Sequence, residues 1–139
     1  MAAALVDAGV LIGYLDSRDP AHPDAVRAME AATGKPWTTW PAVTEAAHLL
    51  GREFPAGRDA LLSMIEDGSL RLVRLDETDA PRLRQLMAKY ADLPMDLADA
   101  ALVRAAEREG IDTVLTFDRR DFKVYRAAGI GALKILPKP

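Results

Sequence analysis

Leu93-Pro94-Met95-Asp96-Leu97-Ala98-Asp99-Ala100-Ala101-Leu102-Val103 sets two carboxylates into a segment that otherwise reads as a buried helix. At 3.6 residues per turn, Asp99 shares a face with Leu102, Val103 and Ala106, whereas Arg104, Glu107 and Arg108 fall on the other side. An ionised side chain on an apolar face is costly unless it is paired, hydrogen-bonded or bound to a metal. The fold has to bring Asp99 whatever neutralises it, so the remaining acids are read with that requirement in mind.

The chain of 139 residues fits one domain, expected over 1–139, with a core large enough to need no disulfide or metal staple. Its 50% hydrophobic and 28% charged residues exclude disorder and collagen-like bias, and the absence of cysteine excludes disulfides and thiolate metal sites. Asp7 interrupts the apolar start before a signal-peptide core forms, and no run approaches the roughly 18 apolar residues of a membrane span. A soluble, cytoplasmic protein is expected. A net charge of −3 argues against nucleic-acid binding only if the charges are spread evenly. Acids gathered at a cation site, with arginines around it, remove that objection.

Working outward, Leu5-Val6 reads as a strand end, and Asp7 precedes the apolar helical stretch Ala8 to Leu15. Functional side chains collect at the carboxyl ends of parallel strands, although an Asp at that point is also a good helix N-cap. Asp24 to Ala32 predicts a surface helix ending at Gly34, and Pro36 to Thr39 a second strand. Pro41 suits the first turn of a helix running to about Glu53, in which Glu45 lies among Val43, Ala46, Ala47, Leu49 and Leu50. Phe54-Pro55-Ala56-Gly57 predicts a break, Arg58 to Glu66 a helix, and Leu70 to Leu75 an alternating strand. Asp76 to Asp79 resembles a helix start, with acids where the macrodipole favours them, and is left out of the site. Asp112 to Phe117 predicts a strand ended by Asp118, Arg119 to Phe122 a charged loop, and Ala132 to Leu136 a last strand. This alternation predicts an α/β fold with a mainly parallel central sheet covered by helices on both faces.

Such a sheet brings Asp7 and Asp118 at strand ends together with Asp99 near a helix start, and Glu45 is able to join them. Four carboxylates near one point repel and raise one another's pKa unless a cation sits among them. Oxygen-only ligands suit Mg²⁺ or Mn²⁺, and a carboxylate-held Mg²⁺ typically acts on phosphate. Phosphodiester hydrolysis is the expected chemistry.

Val6-Asp7-Ala8-Gly9-Val10-Leu11, Val43-Thr44-Glu45-Ala46-Ala47, Leu93 to Val103 and Thr116-Phe117-Asp118-Arg119-Arg120-Asp121-Phe122 closely resemble the four acidic motifs of PIN-domain nucleases, in order and at suitable spacing. The likeness is closest to the VapC-type toxins of bacterial toxin–antitoxin pairs. It implies a PIN-like three-layer fold and a metal-dependent endoribonuclease, usually a homodimer, held inactive by an antitoxin protein. Asp7, Glu45 and Asp99 match the three most regular acids of the family, and Asp118 the more variable fourth. Together they are the expected catalytic and metal-binding set. Asp96 matches an additional acid of the close subgroup, as a metal ligand or as a helix cap, while Asp121 is a weaker candidate on a charged loop. Arg119 and Arg120 are candidates for clamping substrate phosphates, or are solvated loop charges. Gly9 stands where many relatives of that family carry Ser or Thr, so no side-chain hydroxyl is expected at that point. Thr44 either bonds a neighbouring acid or packs.

Rival chemistries lack their parts. Glu45 and His48 have a Glu-x-x-His spacing, but a di-iron bundle needs a second copy and an all-helical frame. A metal-free ribonuclease often uses two histidines, and His22 sits in a Pro-rich turn with no evident partner. An Asp-nucleophile phosphatase normally has an acid two positions after its nucleophile, where this chain has Gly9. A catalytically silent PIN-like module that binds RNA or protein is the remaining alternative, and it gains nothing from packing acids together.

Overall fold

A computed structural model describes residues 3–32 and 36–139. Five short parallel strands form the central sheet: β1 (Leu5–Val6), β2 (Trp37–Thr38), β3 (Arg71–Leu72), β4 (Thr113–Leu115) and β7 (Lys134–Leu136). Their spatial order is β3-β2-β1-β4-β7. Leu5 pairs with Trp37 on one side and Val114 on the other, and Val6 with Leu115. Among the described residues, seven α-helices surround the sheet: α1 (Ala8–Leu15), α2 (His22–Ala31), α3 (Trp40–Glu53), α4 (Pro55–Glu66), α5 (Ala80–Lys89), α6 (Leu97–Glu109) and the single turn α7 (Arg119–Phe122). A small antiparallel hairpin, β5 (Arg126–Ala127) and β6 (Gly131–Ala132), lies apart from the main sheet.

Strand alternation explains the three layers. Leu5 and Val114 point into a core with Leu86, Tyr90, Leu102, Val103, Phe122 and Tyr125, on the side of α5 and α6. Their neighbours Val6 and Leu115 point the other way, into a core with Val10, Leu11, Val43, Ala46, Leu50 and Leu61 from α1, α3 and α4. Strands buried on both faces need an apolar residue at every position, as Leu5-Val6 and Val114-Leu115 provide.

The order of strands also fixes where a site can form. From β1 the chain moves outward through β2 to β3, then returns to place β4 on the other side of β1. The reversal point lies beyond the carboxyl ends of β1 and β4, where loops diverge and leave a crevice. Asp7 and Asp118 follow those two strands. Thr38 Oγ1 donates 2.7 Å to the carbonyl of Val6, and Asp7 N–H donates 2.9 Å to Leu115 O, so the backbone at Asp7 is tied on both sides.

Several element boundaries differ from the sequence reading. The helix expected at 24–32 begins earlier, at His22, because Pro23 occupies its first turn; Gly34 lies outside the described residues. Phe54 alone separates α3 from α4, since Pro55 is itself a good first helical residue, so the expected four-residue break is absent. The strand expected at 70–75 is paired only at Arg71–Leu72, and that at 112–117 only at Thr113–Leu115. The charged loop at 119–122 is the helical turn α7, capped by Asp118. The last strand divides into β6 and β7 at Leu133, and β5 was not anticipated. Among the described residues no helix is long and apolar enough to cross a membrane.

Candidate active site

Each acid reaches the crevice through a local rule of chain geometry. Asp7 is the extended N-cap of α1, with its Oδ1 accepting Ala8 N–H at 2.8 Å. Asp96 caps α6 by accepting Asp99 N–H at 2.8 Å, which orients the first turn carrying Asp99; Gly110, left-handed at φ 66°, closes the other end. Asp118 caps α7 by accepting Asp121 N–H at 3.3 Å. Glu45 lies one turn into α3, on the exposed edge that faces α6.

Asp7, Glu45, Asp96, Asp99, Asp118 and Asp121 line one cavity of about 530 Å³, together with Ala8, Gly9, Ile12, Leu49, Pro94 and Phe117. Six acids and six apolar or glycine residues make this wall, with no cation among the described lining residues. The structure thus brings together all five expected metal-site acids and adds Asp121. Arg119 and Arg120 lie on α7 beside the cavity and do not line it.

The electrostatics follow from this crowding. Burial pushes the Asp7 carboxyl up, with the charges of Asp118 and Asp96 adding to it, against hydrogen bonds from Thr116 and Ala8 that pull it down. Glu45 is raised by burial and then by Asp7 and Asp96. Burial likewise lifts Asp118, opposed by the Asp121 N–H, with the Asp121 charge raising it further. Asp99 is pushed up to about 7, through burial first and then the charges of Asp96 and Asp7. Desolvation therefore exceeds mutual repulsion as the largest cause in all four.

Carboxylate oxygens without competing cations are the donor set that hard divalent ions such as Mg²⁺ or Mn²⁺ take. Among the described residues, no three Asp, Glu, His or Cys side chains are grouped closely enough to hold an ion as they stand. The chemistry of the lining fits such an ion, while its closing geometry is not preformed.

Two hydroxyls escaped the sequence reading. Thr116, fully buried, donates 2.8 Å to Asp7 Oδ2 and accepts Asp118 N–H at 3.0 Å, linking two acids that are far apart in sequence. Its place two residues before Asp118 was a signal, since Ser and Thr side chains bond locally at turns. Tyr125 donates 3.2 Å to Asp99 Oδ2, and nothing in its sequence neighbourhood pointed to α6. Gly9 lines the cavity, and a Cβ there would meet only Phe117 Cδ2, at 3.8 Å. Thr44 bonds neither acid nor core but its own helix, at Trp40 O. His22 is not without a partner: its Nδ1 lies 2.8 Å from Gly13 O. Asp76 and Asp79 form a capping box and do not line the cavity.

The profile of the PIN domain matches residues 4–128. Ribonuclease VapC26 of Mycobacterium tuberculosis is 26% identical over 136 residues, which cover 96% of this chain and 99% of that protein. Among solved structures, VapC20 of M. tuberculosis, described as a sarcin-ricin loop cleaving toxin, superposes with a TM-score of 0.75 at 16% identity, covering 84% of this chain and 91% of that one. A toxin–antitoxin complex from Klebsiella pneumoniae gives 0.67 at 21% identity, covering 96% of each chain. Acids at the reversal point of this sheet, and a family profile spanning nearly all of it, agree: the chain belongs to the PIN-domain family.

Proposed function

We propose that the chain is an endoribonuclease that depends on Mg²⁺ or Mn²⁺ and serves as the toxin of a toxin–antitoxin pair. The observation that carries this reading is the six-acid cavity at the sheet's reversal point. Asp7, Glu45, Asp99 and Asp118 would hold the ion. Asp96, with Oδ1 given to the Asp99 N–H, would contribute its other oxygen. A bound divalent cation supplies charge neutralisation for the phosphate and lowers the pKa of a water molecule.

The chain's own residues do the rest. Apolar walls from Ile12, Leu49 and Phe117 limit bulk water around the acids, and the caps and Thr116 hold two carboxylates in fixed orientation. Water attacks phosphorus, the bond to O3′ breaks, and O3′ leaves with a proton as a 3′-hydroxyl while the new oxygen remains on a 5′-phosphate. No covalent enzyme intermediate forms. Arg119 and Arg120, next to the cavity on α7, would contact flanking phosphates. Exposed Leu49, Phe117, Trp40 and Leu97 around the acids supply apolar surface for an antitoxin and for a second copy of the chain. On this reading the chain acts in the cytoplasm as a single domain over 1–139.

The test is cleavage of RNA by purified protein with Mg²⁺ or Mn²⁺, with excess EDTA and with Glu45→Gln. Loss of cleavage in both controls is expected. Equal cleavage in EDTA would overturn the metal requirement. A melting shift with Mn²⁺ and no cleavage of any RNA would favour the silent binding module.

A further inference from the structure

Asp99 takes its side-chain partner from a different part of the chain. Tyr125, fully buried, follows α7 and sends its phenol O–H to Asp99 Oδ2 at 3.2 Å. Its ring has no freedom to swing. It meets Phe122 edge-on with centroids 5.0 Å apart at 76°, and Tyr90 at 5.0 Å and 63°. The backbone on either side is also tied, through Tyr125 N–H to Asp121 O at 3.3 Å and Arg126 N–H to Tyr90 Oη at 2.9 Å. One rigid phenol therefore spans from the segment that carries Asp118 and Asp121 to the helix that carries Asp96 and Asp99.

We propose that Tyr125 is a positioning residue: its hydroxyl fixes the rotation of the Asp99 carboxylate at the cavity wall and sets the separation of α6 from α7. This inference rests on the metal-dependent reading of the site. A carboxylate that is free to rotate loses ordering entropy when it takes up a ligand, whereas one already held by a hydrogen bond does not. Partners behind a ligating carboxylate typically change metal affinity 10- to 100-fold when removed. The alternative role for Tyr125 is core packing alone, as a large ring between Tyr90 and Phe122.

Tyr125→Phe separates the two roles, because it keeps both ring contacts and removes only the hydroxyl. Tyr90→Phe is the packing control: it removes a neighbouring hydroxyl that bonds backbone and no acid. The measurements are Mn²⁺ affinity by calorimetry, melting temperature in EDTA, and kcat and KM on a random-sequence RNA oligonucleotide pool. Tyr125→Phe is expected to weaken Mn²⁺ binding about 10-fold and to lower kcat at sub-saturating Mn²⁺ with little change in KM. Its melting temperature should stay close to that of the wild type. Tyr90→Phe, which loosens only the backbone beside Tyr125, should lower the melting temperature and weaken Mn²⁺ binding far less than Tyr125→Phe does.

If wild type binds Mn²⁺ and cleaves RNA while Tyr125→Phe matches it in both, the positioning role is wrong and the ribonuclease reading stands. If both variants lose Mn²⁺ affinity in step with melting temperature, Tyr125 only packs. If wild type binds no Mn²⁺, the metal reading falls and this role with it.

Discussion

Replacing Asp99 by Asn removes one carboxylate charge while keeping an oxygen to accept the Tyr125 hydroxyl. In the folded protein the Asp99 carboxyl is raised from 3.8 to about 7, by burial first and then by Asp96 and Asp7. At about 1.36 kcal/mol per pH unit, that difference corresponds to about 4 kcal/mol against the ionised form in the folded state. Residual solvent access and relaxation of neighbours reduce it, and about 2 kcal/mol is a realistic expectation. The sign follows from proton linkage. A carboxyl whose folded pKa is raised holds its proton more tightly when folded, so metal-free stability falls as pH rises from about 4 to about 7. Below pH 4 the wild type and Asp99→Asn should have similar stability. At pH 8 in EDTA the variant should be more stable by about 2 kcal/mol, or roughly 6 °C in melting temperature for a chain of this size. Adding Mn²⁺ should raise the wild type and leave the variant nearly unmoved. Chemical denaturation at pH 4.5 and pH 8, with and without Mn²⁺, measures all four states. A variant that is equal to or less stable than wild type at pH 8 without metal would refute the reasoning, because no buried charge would then have been relieved.

Other residues give independent checks. Thr116→Val removes a donor to Asp7 and strands the Asp118 N–H, so it should cost about 1–3 kcal/mol in denaturant titrations and reduce RNA cleavage further than that loss explains. Gly9→Ser should be neutral in melting experiments, or stabilising by a few tenths of a kcal/mol to about 0.5, since its Cβ finds ordinary contact space within a helix. Asp79→Asn, at a side chain only 1% exposed between Arg104 and Arg108, should destabilise by about 3 kcal/mol without altering Mn²⁺ affinity.

The order of elements and the acids were legible because strand periodicity, Pro and Gly punctuation and capping chemistry are all local. Asp7 and Asp96 stand out in sequence for the reason they act as caps, a short acid before an apolar run, and Asp118 because it ends the apolar strand before it. Boundaries failed where pairing decides them. Leu70 to Leu75 alternates well, yet only Arg71–Leu72 is paired in the ladder to β2. Tyr125 and Thr116 show a second limit. Their partners are 26 and 109 residues away, and only the assembled sheet brings them together. Glu45 lay between these cases, since helix periodicity leaves it exposed and only α6 opposite makes it part of a site.

The two sides of α6 explain how one helix can carry an acid that opposes folding. On one side, Glu107, with its side chain 3% exposed, takes Arg82 at 2.7 Å and Ala128 N–H at 2.8 Å, while Arg104 and Arg108 reach Asp79 at 2.8 and 3.0 Å. Burial raises both Asp79 and Glu107, but it is outweighed: for Asp79 by the Asp76 N–H and the two arginines, for Glu107 by Arg82, Ala128 and Arg104, so both end below their usual range. Groups lowered in this way contribute stability above the ordinary carboxylate pKa, and it is lost as pH falls through their folded values. Asp7, Glu45, Asp99 and Asp118 act in the opposite sense, because their raised values remove stability as pH rises. Metal-free protein should therefore be most stable in mildly acidic solution, and a saturating divalent ion should move that maximum toward neutrality. The paired side holds α6 against α5 and the β5–β6 hairpin, which lets its other side present Asp99 without a protein cation. Adding a lysine to that cavity would relieve the repulsion, and it would also occupy the place of the ion on which the proposed chemistry depends.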